Sequence, residues 1–240
     1  MRSSAAGEHE DAPIASRRRK PYARLDRESI VDAGMAVARR PDTETISFRT
    51  LGEHLGADPT AIYRHFRNKD ELLAALVDRV VGVVAQRLTG DPEGDWKQYL
   101  FDGAVTFQDV FLEHPALGVH VAGTRPLGAA ELRLLDLTLA ALHHAGLRDD
   151  ELMRSYGAYA GVLLSFTAML CHDRLAVRAE NHVTWMRPSV EISAEEHPAL
   201  FEQRERFAAV ELRQSYLTAI EVVLDAAERA AGSGEPASRS

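Results

Sequence analysis

The sequence has little cysteine and no long apolar run. Cys171 is the only cysteine among 240 residues, which excludes an intrachain disulfide and argues against a cysteine-based metal site. No apolar stretch approaches the roughly 18–20 residues that a membrane span needs. The polar first residues, MRSSAAGEHEDAP, lack the apolar core of a signal peptide. We therefore expect a cytoplasmic protein with no membrane partner.

Motifs of catalysis and cofactor binding are also absent. The sequence has no Gly-rich phosphate loop, no nucleophile elbow and no zincin motif. Two clusters contain metal-ligand side chains, His143-His144 and Cys171-His172-Asp173. Adjacent residues on a helix point in different directions, so neither cluster can chelate one ion well by itself. We expect no enzyme activity, no metal site and no cofactor.

Strand-like alternation of apolar and polar residues is missing as well, whereas apolar residues recur at helical spacing. This pattern predicts an all-α fold. The stretch Asp91-Pro92-Glu93-Gly94 marks a boundary between two parts of the chain. Beyond it, we expect helices near residues 95–113, 115–122, 128–145, 149–175, 195–202 and 203–231.

The net charge of −8 would discourage binding to nucleic acid, but the charges are unevenly distributed. Residues 17–69 carry 12 Lys and Arg against 7 Asp and Glu, whereas residues 70–240 carry 15 against 26. A basic N-terminal part on an acidic remainder is typical of a DNA reader whose second domain stays off the phosphates. The run Arg17-Arg18-Arg19-Lys20 has two interpretations, a solvated tail or an arm that reaches phosphates.

Residues 47–69, SFRTLGEHLGADPTAIYRHFRNK, predict two short helices joined by a tight turn. Ser47 and Asp58 are suitable N-caps, and Gly56 suits a helix end that requires positive φ. Four apolar residues recur at a spacing of four and can pack the helices together: Leu51, Leu55, Ile62 and Phe66.

The second of these helices would present polar, aromatic and cationic side chains outward: Pro59, Thr60, Tyr63, Arg64 and His65. A short helix of this kind, braced by a crossing helix, is how a helix-turn-helix enters the major groove of double-stranded DNA. Because arginine can pair with guanine O6 and N7, we predict base contacts from Arg49, Thr60 and Arg64. We expect phosphate contacts from Thr50, Tyr63, His65 and Lys69.

This stretch resembles the DNA-binding signature of the TetR family of bacterial transcriptional regulators (TetR/AcrR type). The resemblance covers roughly residues 25–75 and rests on SFRTLGEHLG, IYRHF and Lys69. Gly52 stands where the family usually has alanine, and Ala57 where it often has valine. Glycine inside a helix at position 52 is expected to cost about 0.5–1 kcal/mol relative to alanine.

Two further helices would flank the motif. The first would begin after Asp26, end before Pro41 and bury an apolar stripe of Ile30, Ala33, Gly34 and Val37. The other would begin at Asn68 or Asp70 and end near Gly90, and its apolar residues are spread too widely for a single neighbour. This fourth helix could therefore pack on both parts of the chain and link them mechanically.

The C-terminal part carries more apolar surface than one chain needs. Residues 152–170 are apolar around most of the helix circumference, and residues 203–231 add a second apolar helix. These surfaces fit either an intrachain core or a four-helix interface between identical subunits. The resemblance favours the homodimer.

A small-molecule pocket between the C-terminal helices would be mostly apolar with a few polar groups. Ten side chains supply such a mixture, although any single aromatic among them is more often part of the core: Phe101, Phe107, Phe111, His114, His120, Arg125, His143, Tyr156, Tyr159 and Phe166.

The resemblance implies a repressor that a small-molecule effector releases from a palindromic operator. An activator, or a DNA-binding protein that ignores ligands, is the alternative, and a helical enzyme is a third possibility. The predicted parts are a disordered basic arm (1–20), a helix-turn-helix domain (21–69), a connecting helix (70–90), a ligand-binding and dimerisation domain (91–231) and a disordered tail (232–240).

Overall fold

The computed structural model describes residues 25–40, 43–123, 127–178 and 192–233. The predicted arm, Arg125 and most of the tail lie outside these residues. Within them every regular element is a helix, which confirms the all-α prediction. The helices of the described residues are α1 (Arg27–Ala38), α2 (Phe48–Leu55), α3 (Pro59–Ile62), α4 (Lys69–Arg87), α5 (Trp96–Glu113), α6 (Pro115–Gly118), α7 (Ala129–His144), α8 (Asp149–Arg178), α9 (Pro198–Ala208) and α10 (Leu212–Ser233).

The first three helices form the part that we call the head. The predicted caps are present, since the Asp26 side chain accepts from the Ser29 N–H and the Ser47 hydroxyl accepts from the Thr50 N–H. Gly56 ends α2 with φ 63°, as expected of glycine. The core of the head consists of side chains with no solvent exposure: Ile30, Ile46, Leu51, Ile62 and Phe66.

Helix α4 joins the head to the remaining helices, α5–α10, which we call the body. Asn68 caps it, and its buried residues cover more than one face, as the sequence predicted. Gly34 of α1 allows α4 to approach closely, because an added Cβ there would lie 2.5 Å from Leu76 Cδ2. On the body side, α4 packs against α5, α6 and α7.

The body is built around α5, α8 and α10. The Tyr159 hydroxyl donates to the Leu100 carbonyl oxygen (2.7 Å), which ties α8 to α5. The Tyr216 hydroxyl donates to the Ala104 carbonyl oxygen (2.8 Å), which ties α10 to the same helix. Because both tyrosines are buried, these bonds fix the mutual position of the three helices.

The bounds of three predicted helices, 115–122, 195–202 and 203–231, differ from the structure. The break predicted between helices 195–202 and 203–231 lies later, since α9 runs from Pro198 to Ala208 and α10 begins at Leu212, and neither Gly nor Pro marks the break. The predicted helix 115–122 ends at Gly118. Residues 152–170 lie within α8 as predicted, and a stripe of this helix that includes Met153, 54% exposed, faces solvent within the single chain.

No helix among the described residues has the length and apolar character required to cross a membrane.

Candidate nucleic-acid interface and ligand cavity

The second helix of the predicted helix-turn-helix, α3, is only one turn long. Helix α3 ends at Ile62, and residues 63–65 continue it as a turn before the chain enters α4. Tyr63 is 55% exposed, and its ring packs edge-on against Phe48, with 4.3 Å between centroids. The contact with Phe48 fixes the orientation of the Tyr63 ring, while more than half of the residue stays exposed to solvent.

Cationic side chains on this surface are exposed. The Arg49 side chain is 81% exposed, and its nearest acidic partner is Glu53 at 3.9 Å. Arg64 and Lys69 are exposed and make no ion pair with any described residue. These three cations are available to a polyanion, because exposed pairs such as Arg49–Glu53 contribute little stability.

The predicted hydroxyl contacts are partly engaged within the head. The Thr50 hydroxyl donates to the Ser47 carbonyl oxygen (2.9 Å) and accepts from the Ser47 N–H (3.0 Å). The Thr60 hydroxyl donates to the Asp58 carboxylate, which lowers the pKa of Asp58. Pro59 occupies the first turn of α3, where its missing N–H costs no hydrogen bond.

A charged cluster of Arg27, Arg67 and Glu71, which the sequence did not reveal, holds residues 59–65 in place. We call residues 59–65 the reading element. Glu71 accepts from the Arg67 N–H (2.9 Å) and from Arg27 Nη1 (3.0 Å). Arg27 also donates to the carbonyl oxygen of His65 (2.9 Å) and lies over the Phe66 ring, 4.1 Å from its centroid. The Arg67 N–H and then Arg27 lower the pKa of Glu71 to about 2. The Glu71 carboxylate in this cluster is therefore charged at neutral pH.

The body contains a cavity of about 110 Å³ between α5, α7 and α8. Phe107, Tyr156 and Tyr159 line it, as predicted. The sequence did not single out the other lining residues, which are Val81, Val121, Leu127, Glu131, Leu134, Leu135, Thr138, Ala160, Leu163 and Leu164. Four of them come from α7 and Leu127 lies two residues before it, and the three leucines among these five give no signal that separates a pocket from a core.

The remaining predicted lining residues lie elsewhere or outside the described chain. Phe111 packs on Phe107 with 4.7 Å between ring centroids, and Phe166 packs on Tyr216 at 5.9 Å. Phe101 is half-buried against the core, and His143 is exposed in a separate open groove. Arg125 lies outside the described residues.

Two histidines of the predicted pocket instead lie near the head. His114 is buried, its Nδ1 donates to the Val110 carbonyl oxygen (3.0 Å), and its Nε2 accepts from Arg39 Nε (3.0 Å). Burial lowers the pKa of His114, which keeps it neutral. Burial, followed by the nearby charge of Lys69, lowers the pKa of His120. The turn after α6 therefore lies close to the start of α4.

Consecutive residues of α4 bind the two parts of the molecule. Asp78 Oδ1 accepts from the backbone N–H groups of Ala130 (2.8 Å) and Glu131 (3.0 Å) at the start of α7. Arg79 forms ion pairs with Glu28 and Asp32 of α1. Helix α4 is thus fastened to a wall of the cavity on one side and to the head on the other.

Neither ligand-type cluster forms a metal site in the described part of the chain, where no three His, Cys, Asp or Glu side chains come together. Cys171 is buried, and its thiol lies 3.6 Å from the Phe111 carbonyl oxygen. Burial raises the pKa of Cys171 to about 12, so the thiol is protonated at neutral pH.

Comparisons with known proteins agree with this geometry. Residues 30–76 match the family described as "Bacterial regulatory proteins, tetR family", and residues 89–228 match "Tetracyclin repressor-like, C-terminal domain". An HTH-type transcriptional repressor of Mycobacterium tuberculosis is 27% identical over 69% of this chain and 64% of its own length. The class C tetracycline repressor of Escherichia coli is 31% identical over 51% of this chain and 56% of its own length. The chain thus spans less than two thirds of either curated relative.

Solved structures share the whole fold. A transcriptional regulator from Streptomyces coelicolor A3(2) superposes with a TM-score of 0.71 and 28% identity, over 86% of this chain and 98% of that one. ActR from Streptomyces coelicolor, solved with actinorhodin, gives a TM-score of 0.71 at 19% identity, over 88% of this chain and 100% of that one. At that identity the second likeness shows the fold alone.

The head and its exposed cations define a helix-turn-helix protein of the kind that binds DNA. Because the matched C-terminal domain covers more than half of the sequence, the chain belongs to the tetR family of bacterial regulatory proteins.

Proposed function

We propose that this chain is a homodimeric, cytoplasmic transcriptional repressor that leaves its palindromic operator when a small molecule enters the body. The observation that carries the proposal is the position of α4. Lys69, at its start, follows the reading element, and Val81, further along, lines the cavity. An event in the cavity therefore acts on the same rigid element that holds the DNA-facing residues.

The head supplies the DNA contacts in this proposal. Arg49 and Arg64 read base edges, because both are exposed on the two motif helices or the turn that follows. Thr60 joins them, since a hydroxyl that donates to Asp58 can still accept a bond from a base. Thr50, Tyr63, His65 and Lys69 fix the register on phosphates.

Each proposed function belongs to a separate part of the chain. We assign DNA binding to residues 21–69, the connection to residues 70–90, and ligand binding with dimerisation to residues 91–231. The links from Asp78 and Arg79 make the connecting helix part of both cores. The charged arm at residues 1–20 would add phosphate contacts beside the head.

Homodimerisation is supported by the outer faces of α8 and α10. Met153, Met169 and Val222 are large apolar side chains that remain exposed in the single chain. An added Cβ at Gly157 or Gly161 of α8 would meet no atom within 4 Å, so another helix can approach closely there. Two copies of this face would form a four-helix interface and hold two heads at the spacing of two half-sites.

The effector is a small molecule in this proposal because a lined cavity is present and because relatives carry such names. One relative is named a tetracycline repressor, and the ActR structure was solved with actinorhodin. The cavity of about 110 Å³ is smaller than the engineered cavity of about 150 Å³ known to hold benzene, so a larger effector must move a wall. The wall formed by α7 is tied to α4 through Asp78, which gives the movement a route to the head.

Release then follows from a shift between two populations. The effector binds more tightly to the form in which α4 has tilted and the two heads no longer fit successive major grooves. Such coupling typically amounts to about 1–3 kcal/mol, which changes operator affinity roughly 5- to 150-fold.

A selection from random duplexes tests the proposal and identifies the operator sequence in the same experiment. The full chain should enrich a palindromic sequence and bind it about 10³-fold or more tightly than a scrambled duplex of equal length at the same salt concentration. Equal affinity for both duplexes would contradict the assignment of base contacts.

The alternatives make different predictions in the same assay. An activator or a ligand-independent DNA-binding protein would keep its operator affinity in the presence of every compound that binds the body. A helical enzyme would convert one of those compounds, which a turnover screen would detect.

A further inference from the structure

Four polar side chains are fully or nearly buried in the described part of the chain: Gln108, His114, Thr138 and Thr167. His114 and Thr138 make hydrogen bonds to neighbouring groups. The amide atoms of Gln108 and the hydroxyl of Thr167 find no partner among the described residues. Buried polar groups are nearly always paired, so these two side chains call for a partner that the folded chain does not supply.

The two unpaired groups lie at the same level of facing helices. Helices α5 and α8 run in the same direction, because Tyr159 bonds to Leu100 and, further along both helices, Cys171 bonds to Phe111. Thr167 lies one helical turn before Cys171, and Gln108 lies about one turn before Phe111. The contact at Cys171 and Phe111 therefore brings the layer below it, with both unpaired side chains, to the same height.

This layer adjoins the cavity. Phe107, the chain neighbour of Gln108, is a lining residue. On α8, Tyr159 and Leu163 line the cavity, and Thr167 follows them at the same four-residue spacing on one helix face. An extension of the cavity by one turn along α8 would reach the polar pair, and Phe107 and Leu163 are the lining residues next to the pair along the two helices.

We propose that Gln108 and Thr167 form the inner polar end of the effector site. There they hydrogen-bond a carbonyl or hydroxyl group of an uncharged, mainly apolar small molecule. The inference rests on the proposed effector response and adds the chemical class of the effector. Neither side chain has a hydrogen-bond partner among the described residues, so burying the two groups destabilises the ligand-free protein. Hydrogen bonds to a bound ligand compensate this cost.

The lining residues support an uncharged ligand. A primary amide and a hydroxyl can each donate and accept one bond, which suits a carbonyl or hydroxyl group. None of the described lining residues is cationic, so an anionic ligand would find no counter-charge there. The single carboxylate, Glu131, already accepts a hydrogen bond from the Gly128 N–H (3.0 Å).

Phenol and toluene are suitable probes because they have nearly the same shape, are both uncharged at neutral pH and differ in a hydroxyl group. Calorimetric titration of the full chain gives the ratio of phenol affinity to toluene affinity. We expect Gln108→Leu and Thr167→Val each to lower this ratio about fivefold or more, because each removes one partner of the hydroxyl. Gln98→Leu is the matched control, since Gln98 lies exposed on the same helix and should leave the ratio unchanged.

The ligand-free variants provide a second readout. Both substitutions should leave the melting temperature unchanged or raise it, because each replaces an unpaired buried polar group by an apolar group of similar size. A lower melting temperature, or an unchanged affinity ratio in variants that still bind both probes, would overturn the inference and leave the proposed effector response intact. If the wild-type chain bound neither probe at millimolar concentration, the cavity itself, and with it the proposed effector response, would be wrong.

Discussion

Cationic side chains on the outward surface of the head differ from several cations of the body in whether they have an acidic partner. In the body, Lys97 Nζ lies 2.8 Å from Asp225, Arg213 lies 2.8 Å from Asp109, and Arg87 pairs with Glu113. On the head, Arg64 and Lys69 have no acidic partner among the described residues. These three cations are neutralised locally, whereas Arg64 and Lys69 are left for phosphates and base edges.

The contrast depends on the face of the head and not on its composition. Two cations between the head and α4 are paired: Arg79 of α4 binds Glu28 and Asp32 of α1. Arg27 likewise binds Glu71. On the outward face, Arg64 and Lys69 have no counter-charge among the described residues, which is the arrangement expected if a polyanion supplies it.

The largest expected effect concerns the body surface. Val222→Asp should produce monomers that remain helical, and affinity for the palindrome should fall about 100-fold or more because the second half-site is no longer held nearby. Leu132→Asp is the control, because Leu132 is exposed to a similar extent (53% against 59%) but lies on α7. Sedimentation and operator titration measure both effects. A Val222→Asp protein that stays dimeric would place the interface elsewhere.

The next effect concerns the head. Arg64→Ala and Arg49→Ala should each cost about 1–3 kcal/mol of operator binding and relax base preference at one position. Arg213→Ala, which removes a paired cation of the body, should leave operator affinity unchanged. Titrations on matched and mismatched duplexes distinguish the roles. Equal losses on every sequence would reassign the arginine to a phosphate.

Alanine substitutions at Gly52 and Gly82 distinguish the effect of helix propensity on stability from the effect of close packing. An added Cβ would lie 2.8 Å from the Ala57 carbonyl oxygen, so Gly52→Ala should destabilise the head by about 1–3 kcal/mol despite the higher helix propensity of alanine. Gly82→Ala in α4 should instead stabilise the protein by about 0.5–1 kcal/mol, because its nearest neighbour would be 3.8 Å away. Urea denaturation measures both values, and a stabilised Gly52→Ala protein would refute the packing requirement.

The smallest effect is a dependence of stability on pH. The pKa of His114 is lowered, mainly by burial, so the unfolded chain takes up a proton at a higher pH than the folded chain does. Stability is therefore present above the ordinary histidine pKa and falls as the pH drops below about 6.5. His114→Gln should flatten the slope of unfolding free energy between pH 7 and 5 by up to about 1.4 kcal/mol per pH unit. An unchanged slope would show that other groups cause the loss.

Local signals in the sequence were sufficient for the caps and the core of the head, although not for the contacts of Arg27 with Glu71 and His65. The caps at Asp26 and Ser47, the positive φ of Gly56 and the buried Ile62 are all decided within a few residues, and the structure has each of them. The cost assigned to Gly52 was incomplete, because the carbonyl oxygen that fills the space comes from the neighbouring turn.

The body depends on contacts between distant residues, and the sequence was less informative there. Aromatic and polar residues were expected in the pocket, yet Leu134 and Leu135 of α7 also line it, and His114 bonds to Arg39, 75 residues away. Nor could spacing reveal that Asp78 and Arg79 bind opposite partners, because their roles depend on where α1 and α7 lie.

Hydrogen exchange tests most directly whether α4 couples the DNA face to the cavity. Coupling between two sites is reciprocal in binding free energy, so if an effector lowers operator affinity through α4, the operator lowers effector affinity by the same factor through the same helix. We predict that saturating operator slows amide exchange in α7, including Ala130 and Glu131, and that a scrambled duplex does not. Asp78→Ala should abolish this change while operator still binds, and exchange in α9 should not respond. Unaltered exchange throughout α7 on operator binding would contradict the account.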